Sequence, residues 1–152
     1  MSALRLNHVF AVGGLFAALS VAQAQQDRAV KLQLGSNGDQ IAFDKSQLQA
    51  KAGQAIELTF KNNASKENRM QHGWVLVKPG TESKVVDAGA AAGAGKNYVP
   101  ESPDVIAHSK LLNPGESAVI KFKAPAEPGS YPYLCPFPGH AQSMKGVLTI
   151  TK

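Results

Sequence analysis

Short runs in which polar and apolar side chains alternate constrain this chain more than any other feature. Residues 28–34, Ala55-Ile56-Glu57-Leu58-Thr59-Phe60-Lys61 and Ser117-Ala118-Val119-Ile120-Lys121-Phe122-Lys123 repeat at period two, the spacing that puts successive side chains on opposite faces of a strand with one face buried. Ile56, Leu58 and Phe60 form the inward set of the second run. Residues 35–40, 62–65, 113–116 and 125–129 separate the runs with Gly, Pro, Asn, Asp and Ser, the residues of turns and loops. Shorter strands are expected at 41–43, from His72 onward with Trp74 on the same face, at 105–112, at 130–135 and at 146–151. Asp44 is expected to cap a brief turn that contains Leu48 and ends at Gly53. From Lys78 to Pro103 the pattern dissolves, and the Ala/Gly-rich stretch 88–95 reads as one poor helical turn or a flexible flap. At about 25 residues, this connection has the length of functional or covering loops. The sum is an all-β, antiparallel Greek-key sandwich of seven to eight strands with a short helical or irregular flap.

The first residues stand apart from that pattern. Arg5 without a nearby acid, the apolar run 9–22 and the small-x-small sequence Ala22-Gln23-Ala24 read as a secretory signal peptide over residues 1–24, cleaved before Gln25, with a single domain over 25–152. The apolar run is short for a membrane span, which needs about 20 residues, so stable membrane insertion is not expected. The alternative is an uncleaved N-terminal anchor. Export to a periplasm is the expected address. Residues 25–152 carry fifteen Lys/Arg against eleven Asp/Glu, a mild excess of +4 with no run of five like charges. That argues against nucleic-acid binding and permits attraction to acidic protein surfaces.

An exported chain with one cysteine is unusual, since cysteines in oxidising compartments come in pairs. Cys135 therefore has to be buried, paired with another chain or bound to something. Its neighbours favour the last. In Cys135-Pro136-Phe137-Pro138-Gly139-His140-Ala141-Gln142-Ser143-Met144 a thiol, an imidazole and a thioether follow at the spacing C-x4-H-x3-M. One soft anionic sulfur, one borderline nitrogen and one weak neutral sulfur suit copper, whereas magnesium, calcium and manganese take oxygen ligands. The two prolines stiffen the loop, so much of the order that metal binding requires exists beforehand. Met144 is placed to approach from the axial direction as a long, weak bond. A trigonal site needs a second imidazole. His72 and His108 are the candidates, and the alternating neighbours of His108 make it read as a surface imidazole.

The motif 135–140 with Met144-Lys145-Gly146, preceded by Met70-Gln71-His72-Gly73-Trp74-Val75-Leu76 and Val105-Ile106-Ala107-His108-Ser109-Lys110-Leu111, resembles the azurin and auracyanin branch of the small blue copper proteins. The resemblance spans nearly all of residues 28–152. It implies a cupredoxin sandwich, one type 1 copper ion and electron transfer in the periplasm or at the outer membrane face. It further implies His72, Cys135 and His140 as equatorial ligands, Met144 as axial ligand and His108 as a surface histidine. Four departures stand out. Gln71 occupies the place of a glycine whose carbonyl approaches copper, Gly73 that of an asparagine that ties the ligand loops, and Pro136 that of a hydroxyl residue, while the N-terminal disulfide is absent. Backbone donors to the thiolate would come from Gly73 and Phe137.

The function expected is a monomeric one-electron carrier that cycles between Cu(I) and Cu(II). No enzymatic turnover is expected, because four protein ligands leave no open coordination position. Its partners would be redox proteins such as a c-type cytochrome or a terminal reductase or oxidase, docking on a small apolar patch of Phe137, Pro138 and Ala141. The alternatives are copper storage or delivery, which would favour exposed Met and His clusters, and a copper-free secreted binding module.

Overall fold

The computed structural model describes residues 28–152, so the expected signal peptide lies outside the described residues. The chain forms strands β1 (Val30–Gly35), β2 (Gln47–Lys51), β3 (Ala55–Lys61) and β4 (Val75–Val77), then helix α1 (Glu82–Ala92) and a 3-10 turn at Ala94–Lys96. Strands β5 (Val105–His108), β6 (Ser117–Lys123), β7 (Gly129–Leu134) and β8 (Lys145–Thr151) follow. They build a three-stranded sheet in the order β1-β3-β6 and a five-stranded sheet in the order β2-β8-β7-β4-β5.

Register explains why the two sheets close on one another. Ile56, Leu58 and Phe60 of β3 lie opposite Val30, Leu32 and Leu34 of β1, and opposite Phe122, Ile120 and Ala118 of β6. The apolar sets of three strands therefore share one face, which a slip of one residue would turn to solvent. Against it pack Leu48, Ala50, Leu76, Tyr133, Leu148 and Ile150 of the five-stranded sheet, with Trp74 just ahead of β4.

The eight-stranded sandwich is as the sequence indicates, but it is mixed, not antiparallel. β1 runs parallel to β3, and β2 parallel to β8. Parallel neighbours cannot be joined by a hairpin. After β1 the chain crosses to the other sheet as β2 and returns as β3, so the turn-like composition of 35–40 marks a change of sheet. The expected turn around Leu48 is accordingly a strand, with Leu48 and Ala50 buried and Gln47, Gln49 and Lys51 exposed. Asp44 caps no helix there; its carboxylate accepts the Gly35 N–H at 2.9 Å. In the segment 41–43, Phe43 forms a single bridge to Ser36.

The flap is a true helix of eleven residues. Val85 of α1 and Val99 beyond it pack on Val75, Val77 and Leu134, so β4 is buried on both faces. The expected strand 105–112 stops at His108. Beyond it, Ser109 takes the Trp74 N–H on its hydroxyl at 2.9 Å, and Leu112 forms an isolated bridge with His72.

Candidate metal centre

The loop between β7 and β8 is closed by its own backbone. The Cys135 N–H donates to the Met144 carbonyl at 2.9 Å, the His140 N–H to the Phe137 carbonyl at 3.0 Å, and the Met144 N–H to the His140 carbonyl at 2.8 Å. The last bond is one α-helical turn, which sets residues four apart on the same side. The spacing H-x3-M thus puts His140 and Met144 one above the other, beside Cys135. Cys135 and Met144 are fully buried, while His140 keeps 6% of its surface exposed.

His72 arrives on the segment that leads into β4, the strand paired with β7. Its N–H donates to the Leu112 carbonyl at 3.2 Å, and it accepts the Leu112 N–H at 2.8 Å. The ring is fully buried and lies 5.1 Å from the His140 ring. Nδ1 of His72 is 4.0 Å from Cys135 Sγ, and Nδ1 of His140 is 3.6 Å from it. One donor atom from each of His72, Cys135 and His140 lies within 4.8 Å of the others, the one such group among the described residues.

These separations fit a bound ion. A first-row ion with bonds of about 2.0 Å to nitrogen and 2.3 Å to sulfur, arranged trigonally, holds N and S about 3.7 Å apart, between the two distances found. Burial drives every member toward its neutral form. The His72 imidazole is pulled down to about 4 by burial and then by the neighbouring His140, and burial lowers His140 too. The Cys135 thiol is pushed up to about 11 by burial, partly offset by the N–H groups of Gly73 and Phe137. A cation reverses the last effect, because it favours thiolate over thiol. With imidazoles already neutral and the sulfur met by a Gly73 N–H at 3.4 Å, the site is poised to exchange one thiol proton for a metal ion.

The structure thus brings together His72, Cys135 and His140, and seats Met144 against them through the backbone of both Cys135 and His140. His108 stands apart at the end of β5, exposed, with Nδ1 3.0 Å from the Ser109 carbonyl. Two of the departures prove to be one feature. A Cβ on Gly73 would come 3.1 Å from Cδ and Cγ of Pro136, so the proline ring crowds the position that a side chain at 73 would take. The Gln71 side chain points to Asn113, to which it donates at 2.9 Å.

Sequence reasoning missed Asn62, which by composition is only a turn residue. It is fully buried, and its amide donates to the carbonyls of Met70 at 2.8 Å and Leu112 at 2.9 Å. It also accepts from the Ser36 hydroxyl and the Ala64 N–H. Two amide donors, each satisfied by a backbone carbonyl beside His72, make it the tether of that segment.

A two-sheet sandwich that sets a buried thiol and two imidazoles within reach of a single ion has the donor set of a mononuclear copper protein. The chain belongs to the copper-binding proteins of the plastocyanin/azurin family, whose model matches residues 30–151. It is 40% identical to auracyanin-A of Chloroflexus aurantiacus over 124 residues, 80% of this chain and 74% of that one. It is 36% identical to an azurin of Pseudomonas aeruginosa over 139 residues, 90% of each. The solved structure of auracyanin A, described as a "blue" copper protein, superposes with a TM-score of 0.76 at 39% identity, covering 82% of this chain and all of that one. Auracyanin of Roseiflexus castenholzii gives 0.75 at 37% identity, with the same coverage. The fold is the cupredoxin sandwich that the resemblance implies, and the cofactor is copper.

Proposed function

We propose that this protein is a periplasmic one-electron carrier in which His72, Cys135 and His140, with Met144 beside them, would hold one type 1 copper ion. Copper supplies the Cu(I)/Cu(II) couple. The observation that carries this reading is the preformed trio: three donors already at ligand spacing, buried, on backbone that is hydrogen-bonded on every side. A frame that need not move when charge changes keeps reorganisation small.

His140 is the one member of the trio with an edge at the surface, and Phe137, Pro138 and Gly139 surround that edge with half-buried to exposed positions. Electrons would enter and leave there, through a weak and brief complex with a redox protein such as a c-type cytochrome or a terminal reductase or oxidase. Four protein ligands leave no position for a substrate, so no turnover is expected. The signal-peptide pattern expected over residues 1–24 supports export, and no helix among the described residues is long and apolar enough to cross a membrane.

Titrating the purified metal-free domain with Cu(II) tests this. An intense visible thiolate-to-copper band and reversible one-electron voltammetry are expected. A colourless product with Cys135 still free would falsify the assignment, and copper held without reversible redox cycling would favour storage or delivery.

A further inference from the structure

Two consecutive residues beyond α1, Asn97 and Tyr98, have left-handed backbone with φ of 56° and 55°. Asparagine tolerates that region, but a bulky tyrosine does not do so without strain, and such strain persists only where the surroundings over-determine it. Here they do. The Tyr98 N–H donates to the Gly93 carbonyl at 3.0 Å, and Asn97 Oδ1 accepts the Leu111 N–H at 2.9 Å. The Tyr98 carbonyl lies so close to Gly89 of α1 that any side chain at 89 would collide with it. Val99, the next residue, is buried against Val85 and β4.

The reward for this geometry is the direction of the Tyr98 ring. It meets Phe137 edge to face, with centroids 5.6 Å apart and planes at 74°. Phe137 in turn leans over His140, with centroids 4.7 Å apart and planes at 38°. Phe137 also lies between Cys135 and His140 in sequence, and its N–H is one of two that face the thiol. A ring that rotates freely at 137 would loosen both contacts at once.

We propose that Tyr98 is a positioning residue for His140, acting through Phe137, so that the flap of residues 82–98 fixes the orientation of a metal ligand it does not touch. This rests on the copper reading above. The contact is ring to ring, so the hydroxyl of Tyr98 is dispensable and the aromatic edge is not.

The test uses Tyr98→Ala, Tyr98→Phe and Tyr98→Gly, each measured without and with copper. In metal-free protein with labelled aromatic rings, Tyr98→Ala should speed the flipping of the Phe137 ring and shift the His140 ring resonances. With copper bound, it should alter the Cu(II) hyperfine pattern and hasten loss of Cu(I) to a chelator by roughly three- to tenfold, the range an aromatic pair contributes. Tyr98→Phe should stay at wild-type values throughout. Tyr98→Gly, which removes the ring and relaxes the backbone, should match Tyr98→Ala. The proposal is overturned if Phe137 flipping and copper loss in Tyr98→Ala stay within twofold of wild type, if Tyr98→Phe behaves like Tyr98→Ala, or if Tyr98→Gly returns to wild type. A wild-type protein that shows no thiolate band would sink the copper reading instead, while the metal-free ring measurements still decide whether Tyr98 holds Phe137 and His140.

Discussion

The Asn62 side-chain amide donates to the Leu112 carbonyl at 2.9 Å, and the same oxygen accepts the His72 N–H at 3.2 Å. One carbonyl thus joins a buried tether to the upstream imidazole. Replacing Asn62 by alanine leaves the carbonyl of Met70 and the N–H of Ala64 without this partner, at about 1–3 kcal/mol for each group left unsatisfied. Asn62→Ala is therefore expected to cost about 2–4 kcal/mol of metal-free stability in urea unfolding, and to weaken copper retention further because His72 loses its fixed backbone. Asn63→Ala, which removes an amide that donates to the Ser36 carbonyl at a more exposed position, should cost less than half as much. Equal losses from the two variants would refute the tether.

Substitutions in the trio should separate by role. Cys135→Ser removes the thiolate and should abolish the visible band while leaving a folded sandwich, checked by absorption and circular dichroism. Met144→Leu keeps packing volume and the backbone bonds to Cys135 and His140, so copper should remain bound at a shifted reduction potential. His108→Ala should change neither colour nor potential, because that ring lies at the end of β5 outside the cluster. Bleaching in His108→Ala would overturn the ligand assignment.

Most of this site was legible because its parts lie close in sequence. A thiol, a ring and a thioether within one loop specify their own geometry once His140 and Met144 share a helical turn. The sandwich was legible in β3 and β6, whose alternation is complete. What stayed hidden depends on distant partners. Gln47-Leu48-Gln49-Ala50-Lys51 also alternates, yet the preceding Asp44 suggests a cap, and only pairing with β8 makes the segment a strand. Helix α1 has Gly89 in its C-terminal half and no side-chain cap at Thr81, so local propensity argues against it; Val85 against β4 and the fit of Gly89 to the Tyr98 carbonyl supply what propensity lacks. Asn62 reads as a turn former because composition cannot tell a solvated asparagine from one with every polar atom satisfied inside the core.

Acidification should destabilise the metal-free protein before most carboxylates protonate. The folded His72 imidazole takes its proton only near pH 4, against 6.5 ordinarily, so between those values the unfolded chain binds a proton that the folded one refuses. Stability then falls as pH drops through that window, by at most about 1.4 kcal/mol per pH unit for one imidazole. His140, also lowered by burial, acts in the same direction. Denaturant midpoints at pH 7, 5.5 and 4.5 measure the effect, and His72→Gln should flatten the profile if this imidazole carries it.

The thiol gives the opposite signature. Burial holds Cys135 protonated up to about pH 11, so at neutral pH copper uptake has to expel its proton. Calorimetric titration in buffers of different ionisation enthalpy should report close to one proton released per ion. Release near zero would mean that the sulfur is not a ligand.

The contact between Gly73 and Pro136 makes a further, separable prediction. The proline Cδ and Cγ at 3.1 Å, and Cδ2 of Leu111 at 3.3 Å, would crowd a Cβ at 73. Gly73→Asn alone should therefore destabilise the protein, by about 1–3 kcal/mol as for other overpacked sites, and should disturb the Gly73 N–H that meets the Cys135 sulfur at 3.4 Å. Pro136→Thr alone takes the ring Cδ and Cγ away from Gly73 and costs packing without a clash. Together the two changes should recover stability, because threonine lacks the ring Cδ and Cγ that crowd a side chain at 73 and the new polar groups can bond across the loops. A double-mutant cycle is then expected to give a favourable coupling of about 1 kcal/mol or more, with the thiolate band returning toward its wild-type position in the double variant. Strict additivity would show that the two positions are independent, and that the proline is not what excludes a side chain beside His72.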